Sequence, residues 1–288
     1  MKVALCLHGL VGTDDKYGRG NKIINYKIGH KHFKEHVIDV NEHVDVFMHT
    51  WSTDYKDRLI EAYNPVAIKA EEQMKTPFQD LPGSVYFPGS TKAMENTGMH
   101  ANYCRWKSVK EVISLVNQSE TKYDWILLTR FDIAFMVDFD FSEYDNNKFY
   151  AQGPAGPYER GLNLINDLWF FANQENMTIF SKLYDRLPAV IVENEWDDED
   201  ADRYQNVLQD FHEPDWGFVK VLLQRSSDPN EPQYLEHIIS NHMLARRHLI
   251  ETGLQNNLEY AFTREWNGSP GKLSTETPLV RWYYMNRV

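Results

Sequence analysis

Three stretches of this 288-residue chain place polar or small residues directly after apolar runs, where chemistry at a sheet edge would need them. They are His8–Thr13, His49–Ser52 and Thr129–Ile133. In an open parallel sheet, ligands gather at the carboxyl ends of the strands. Asp132 lies in the third stretch as part of Arg130-Phe131-Asp132. A carboxylate there can hold Mn²⁺ or Mg²⁺ through oxygen, and the metal can neutralise a diphosphate leaving group. Arg130 is permanently charged and can grip a carboxylate or phosphate with its planar fork. The plainer alternative is an ordinary Arg–Asp pair at a strand edge.

Other residues complete the candidate set. Asp167 can act as general base toward an incoming hydroxyl, or can cap a turn before a strand. Glu236 and His237 open a helix and can face an acceptor, although Glu236 also suits the helix dipole. The early loop offers Gly9, Gly12 and Thr13, where the backbone can approach a ribose or base, with Arg19 or Lys22 for phosphate. It is not a P-loop, because no G-x-x-x-x-G-K-[ST] string occurs, and an ordinary turn explains each residue equally well. Trp51 sits at a strand end, where an indole can stack on a sugar face. His30-x-His32 with His36 suggests zinc, but lacks cysteine partners or a His-Glu-x-x-His frame. His242 is a lone helical histidine. A literal Asp-x-Asp, Asp138–Asp140, lies between phenylalanines beyond the strand end and reads as a turn.

The elements that must position these residues follow from hydrophobic pattern. Val3–Leu10 and Val44–His49 are short, nearly continuous apolar runs, as strands covered on both faces require. Val66–Lys69, Lys148–Gln152 and Leu168–Ala172 read as further strands, and Tyr123–Phe135 as one central strand. Asp54–Tyr63 reads as a helix stopped by Asn64–Pro65. His100–Ser119 is the clearest helix, with Tyr103, Trp106, Val109, Val112, Ile113 and Val116 on one stripe. A helix over Asn176–Leu187 should end at Pro188, and another over Tyr234–Thr252 should have Gly253 as its C-cap. Alternation of strands and helices implies an α/β fold: a mainly parallel sheet with helices on both faces. No repeat or linker divides the chain, so one domain over 1–288 is expected.

Composition limits the partners. A net charge of −12 argues against duplex nucleic acid, which needs a basic surface. No run reaches the ~18 apolar residues of a membrane span, and His8 interrupts the N-terminal apolar stretch that superficially suggests a signal peptide. The expectation is a cytoplasmic protein with Cys6 and Cys104 as buried free thiols and with Asn117, Asn176 and Asn267 unglycosylated.

DVFMHTWS at Asp45–Ser52 and YDWILLTRFDIAF at Tyr123–Phe135 resemble stretches of GT-A-type glycosyltransferases of polysaccharide and lipopolysaccharide biosynthesis, which have viral relatives. The order of elements over residues 1–250 is similar too: a first strand with a Gly turn, the Asp45–Trp51 strand, the long helix, the strand ending in Arg-x-Asp, DLWFFA at Asp167–Ala172, and a helix beginning near Glu236. The resemblance implies a GT-A-like sheet, a nucleotide-sugar-binding half (1–135) and an acceptor-side half (136–288). It also implies a nucleotide-sugar donor, a glycan or other hydroxyl acceptor, and Mn²⁺ or Mg²⁺ at Asp132. Arg130 stands where such enzymes carry the first Asp of Asp-x-Asp, so one carboxylate would share the metal with the donor diphosphate, or Arg130 would itself meet phosphate. Two other classes compete. One is a carbohydrate or nucleotide binder that kept the fold without turnover. The other is an α/β-hydrolase, suggested by His8-Gly9-Leu10-Val11-Gly12 but lacking a Gly-x-Ser-x-Gly elbow.

Overall fold

The computed structural model of the chain describes residues 1–11, 26–74, 97–155, 164–192, 241–261 and 279–281. Its centre is a seven-stranded sheet. The strands are β1 (Lys2–Gly9), β2 (His43–Thr50), β3 (Ala67–Ala70), β4 (Trp125–Arg130), β6 (Phe149–Ala151), β9 (Trp169–Ala172) and β10 (Leu258–Tyr260). Their spatial order is β10-β6-β9-β4-β1-β2-β3. β1 is parallel to both β2 and β4, β2 to β3, and β10 to β6, whereas β9 runs antiparallel to β4 and β6. The fold is therefore α/β with a mostly parallel, mixed sheet. Two short ladders flank it: β5 (Ile133–Phe135) with β11 (Leu279–Arg281), and β7 (Pro154–Ala155) with β8 (Leu164–Ile165).

Period-two alternation explains why the inner strands read as unbroken apolar runs. Ala4 and Cys6 of β1, Ile126 and Leu128 of β4, and Phe170 and Ala172 of β9 face one core, beneath α3 (Thr97–Gln118), α4 (Gln174–Ser181) and α6 (Asn241–Glu251). Val3, Leu5 and Leu7, Trp125 and Leu127, and Trp169 and Phe171 face the other, against Phe33 of α1 (Tyr26–Phe33) and Leu59 of α2 (Lys56–Tyr63). The second core is rich in rings. Phe139 lies 4.9 Å from Phe141 and 5.0 Å from Phe171, centroid to centroid, and Tyr150 stacks on Phe171 at 4.4 Å. Each such pair adds about 0.5–1.5 kcal/mol beyond its buried area.

Several boundaries differ from the sequence reading. The run Tyr123–Phe135 is not one strand: β4 stops at Arg130, Phe131 and Asp132 turn, and β5 begins at Ile133. Pro188 does not end the helix after β9. The break falls at Lys182, and α5 (Leu183–Val192) continues through the proline. Asn173 starts α4, its side chain accepting from Asn176 N at 2.8 Å. Asn64 stops α2 in the left-handed conformation (φ 45°), and Gly253 (φ 75°) follows α6, as expected of both. Residues 234–240 lie outside the described residues.

α1 is seated unusually close to the sheet edge. A Cβ on Gly29 would stand 2.8 Å from Phe131 O and 3.3 Å from Ile133 O. Gly29→Ala would ordinarily gain helix propensity of about 1 kcal/mol. Here the clash is with backbone and cannot be relieved by a rotamer, so a net loss of about 1–3 kcal/mol is expected in urea unfolding. Unchanged or raised stability would show that α1 does not rest on this turn.

Candidate functional site

β1 stands at a topological switch point. Its successor β2 lies on one side and β4 on the other, so the connections diverge at the carboxyl ends of β1 and β4. Gly9 and the Arg130–Asp132 turn occupy those ends, and His8 is the register partner of both His49 and Arg130. Because β9 is reversed, the residues leading into it arrive at the same edge. Trp169 pairs with Thr129, which brings Asp167 there.

Four charges meet at this edge as two pairs. Arg130 Nη2 donates to Asp132 Oδ2 in a short contact. Arg105 Nη1 lies 2.7 Å from Asp167 Oδ2, and Arg105 Nη2 also donates to the Asp167 carbonyl. The side chains of Arg105 and Asp167 are 10% and 9% exposed, so the pair is largely dry. Burial works against the charge on Arg130, but Asp132 and then Asp167 outweigh it and raise its proton affinity. His242 Nδ1 donates to Ile165 O at 2.8 Å and stands 3.6 Å from Asp167 Oδ1, anchoring the segment before β9. His8 is 3% exposed, and its Nδ1 has no hydrogen-bond partner among the described residues. Burial first, then Arg105, Arg130 and His49, push its pKa well below the usual 6.5, with Asp167 opposing. His8 is therefore a neutral imidazole, next to Arg130 across the β1–β4 register and within reach of the Arg105 charge.

The Asp45–Ser52 motif builds the scaffold around Gly9. Gly9 takes φ 106°, a conformation that favours glycine, and a Cβ there would meet nothing within 4 Å. Its N–H donates to Ser108 Oγ at 3.0 Å, and its carbonyl accepts from Trp51 N at 3.3 Å. Ser108 Oγ lies 2.6 Å from His49 Nδ1, and His49 Nε2 lies 3.1 Å from Glu71 Oε1. A carboxylate only accepts, so His49 Nε2 carries the hydrogen and Nδ1 accepts the Ser108 hydroxyl. Burial keeps His49 below its usual pKa, although Glu71 opposes, which agrees with this neutral tautomer. Ser52 Oγ accepts from Val11 N at 3.0 Å, and at the far end of β2 Asp45 Oδ2 accepts from Tyr123 Oη at 2.7 Å. With Ser108 buried, this Ser-His-Glu relay braces the turn after β1 instead of presenting a nucleophile.

Of the residues singled out in the sequence, Gly9, Arg130, Asp132 and Asp167 share this edge. Trp51 does not offer a stacking face: it is 7% exposed, packs on His49 at 4.6 Å and donates from Nε1 to Cys104 O. Asp138 and Asp140 are not a metal pair. Asp138 meets His36 at 2.8 Å, and Asp140 caps a turn by accepting from Ser142 N. Gly12, Thr13, Arg19, Lys22, Glu236 and His237 lie outside the described residues. Arg105 was missed. Its signal was a polar stripe, Asn102, Arg105 and Ser108, in steps of three beside the apolar face of α3. Both cysteines are buried free thiols, and burial pushes Cys104 up to about 11.

Among the described residues, this edge does not assemble a full set of metal ligands. Asp132 supplies one carboxylate, already against Arg130, and the one group of three metal-ligating side chains among the described residues lies elsewhere, at His32, Glu35 and His36. Mg²⁺ and Mn²⁺ need about six oxygens, so most would have to come from a ligand.

Two measurements test this arrangement. Asp167→Ala, which removes the carboxylate facing Arg105, is expected to cost about 3–5 kcal/mol in urea unfolding, while Arg105→Met with Asp167→Leu costs clearly less. Equal losses would disprove the pairing. For His8, the unfolded chain takes up a proton below pH 6.5 that the folded chain refuses, so its contribution is complete above that pH and lost as pH falls toward the depressed folded value. His8→Asn should remove up to about one proton from the stability slope below pH 6.5; an unchanged slope would show that His8 titrates normally. No protein-family model and no curated protein matches this chain, so its activity has to be argued from this edge of the sheet.

Proposed function

We propose that the chain is a glycosyltransferase with a GT-A-like fold that moves a sugar from a nucleotide-sugar to a glycan or other hydroxyl acceptor. The observation that carries the reading is the joining of Gly9, Arg130, Asp132 and Asp167 at the switch point between β1 and β4. Gly9 lets a ribose or base approach the backbone closely, and Arg130 is a planar donor set for phosphate. Asp167, clamped by Arg105, is best placed to accept hydrogen bonds from sugar or acceptor hydroxyls. Taking up a proton as general base would compete with that clamp.

The two arginines and two aspartates sum to zero charge. A diphosphate arriving alone therefore meets no net positive field at these four residues. A divalent cation travelling with the diphosphate removes that obstacle and brings its own oxygen ligands, to which Asp132 adds one. In this reading Mn²⁺ or Mg²⁺ belongs to the substrate complex. The paired state of both carboxylates also favours a second reading, a nucleotide or carbohydrate binder without turnover.

Calorimetry with UDP and GDP, with and without Mn²⁺, tests the proposal. Binding is expected to strengthen at least tenfold with Mn²⁺, and Asp132→Ala should abolish that gain. Arg130→Ala should weaken binding under both conditions. Asp167→Asn should spare diphosphate binding while lowering sugar transfer or slow donor hydrolysis about tenfold or more. Wild-type affinity in both Asp132→Ala and Arg130→Ala would overturn the site. Donor binding with no hydrolysis or transfer would decide for the binder.

A further inference from the structure

We propose that His32, Glu35 and His36 form a binding site for a divalent transition metal of the zinc class. It lies where α1 runs into a turn of π-helix, Lys34–Ile38. Steps of three and four put the three side chains on one face. One ligand atom from each lies within 4.8 Å of the others. Of His30, His32 and His36, the histidines of the sequence pattern, this site uses the last two. Two residues along a helix face different ways, and His30 packs edge-on against Tyr63 at 4.6 Å.

The second observation is how the two imidazoles are held. His32 Nδ1 is 2.9 Å from the Phe135 carbonyl, and His36 Nδ1 is 2.8 Å from Asp138 Oδ1. Both partners are acceptors, so each Nδ1 carries a hydrogen and Nε2 is the nitrogen that the neutral ring can offer a metal. Metal-binding histidines are typically oriented in this way, by a carbonyl or carboxylate on the other nitrogen. The rings lie nearly parallel, 5.8 Å apart and tilted 24°. The π-turn, marked by Asp39 N donating to Lys34 O at 2.9 Å, is a widened backbone of the kind found at ligand sites.

Ligands at 2.0–2.2 Å from a tetrahedral zinc stand roughly 3.4 Å apart, so the three side chains must draw together to hold the ion. Glu35 can supply that movement. Its side chain is 49% exposed, and its one ion-pair partner among the described residues, Lys31, stands 3.8 Å away. Two nitrogens and a carboxylate suit zinc better than Mg²⁺ or Mn²⁺. Three protein ligands leave a fourth position for water. Since Phe135 and Asp138 follow the Arg130–Asp132 turn, and Phe139 N also donates to His36 O at 2.8 Å, the metal would clamp α1 to the segment leaving the sheet edge.

The test needs no nucleotide and does not depend on the transferase reading. Chelator-treated full-length chain is titrated with Zn²⁺ alone by calorimetry, and its thermal unfolding is followed. One equivalent is expected to bind with micromolar or tighter affinity and to raise the unfolding midpoint by about 5 °C. Mg²⁺ at the same concentration should do neither. Asp138→Asn should weaken zinc 10–100-fold through His36, an effect that an incidental surface histidine pair would lack. Asp132→Ala should leave zinc binding intact. No saturable binding at 100 µM, or the same stoichiometry and midpoint shift in His32→Ala/His36→Ala, would overturn the proposal.

Discussion

The direction of a single strand governs where the charged groups of this protein can meet. β9 runs against both of its neighbours, so the chain that feeds it reaches the edge where β1, β2 and β4 finish. Had β9 been parallel, Asp167 would sit at the opposite edge, remote from Arg130. With it reversed, Asp167 comes under the reach of Arg105, which α3 projects from the covering layer. The cost of burying these charges, most complete at Arg105 and Asp167, is offset by pairing them, and the pairs are supported by apolar layers on both sides of the sheet.

That pairing makes the edge polar without making it a basic patch. Two guanidiniums face two carboxylates, with a neutral histidine beside Arg130. Such a surface recognises shape and hydrogen-bond pattern before it recognises net charge. The scaffold below is built to the same standard. Gly9 is fixed through Ser108, His49 and Glu71, each hydrogen bond having one donor and one acceptor once the tautomer of His49 is set.

Much of this was readable in the sequence, for definite reasons. Buried parallel strands announce themselves as apolar runs, and the stripe on α3 and the stops at Asn64 and Gly253 are local signals that the fold obeys. The ends of β1 and β2 therefore fell close to where the pattern put them, and with β1 the position of Gly9. Other features depend on contacts far apart in the chain and left no local trace. The turn at Phe131–Asp132 lies inside a run that stays apolar on both sides. The reversal of β9 has no signature in WFFA. Trp51 looked available at a strand end, but its indole is claimed by the Cys104 carbonyl across the helix layer. His30 was grouped with His32 by proximity in sequence, whereas helical geometry joins His32 to His36.

The seat of α1 against the sheet edge has a mechanical consequence. At Gly29 the helix backbone approaches the Phe131 and Ile133 carbonyls with no side chain between them, so nothing soft is available to absorb displacement. Tilting or sliding the helix must push the peptide planes of the turn that carries Asp132. The turn that carries Asp132 and the helix that carries His32 are therefore joined by direct backbone packing.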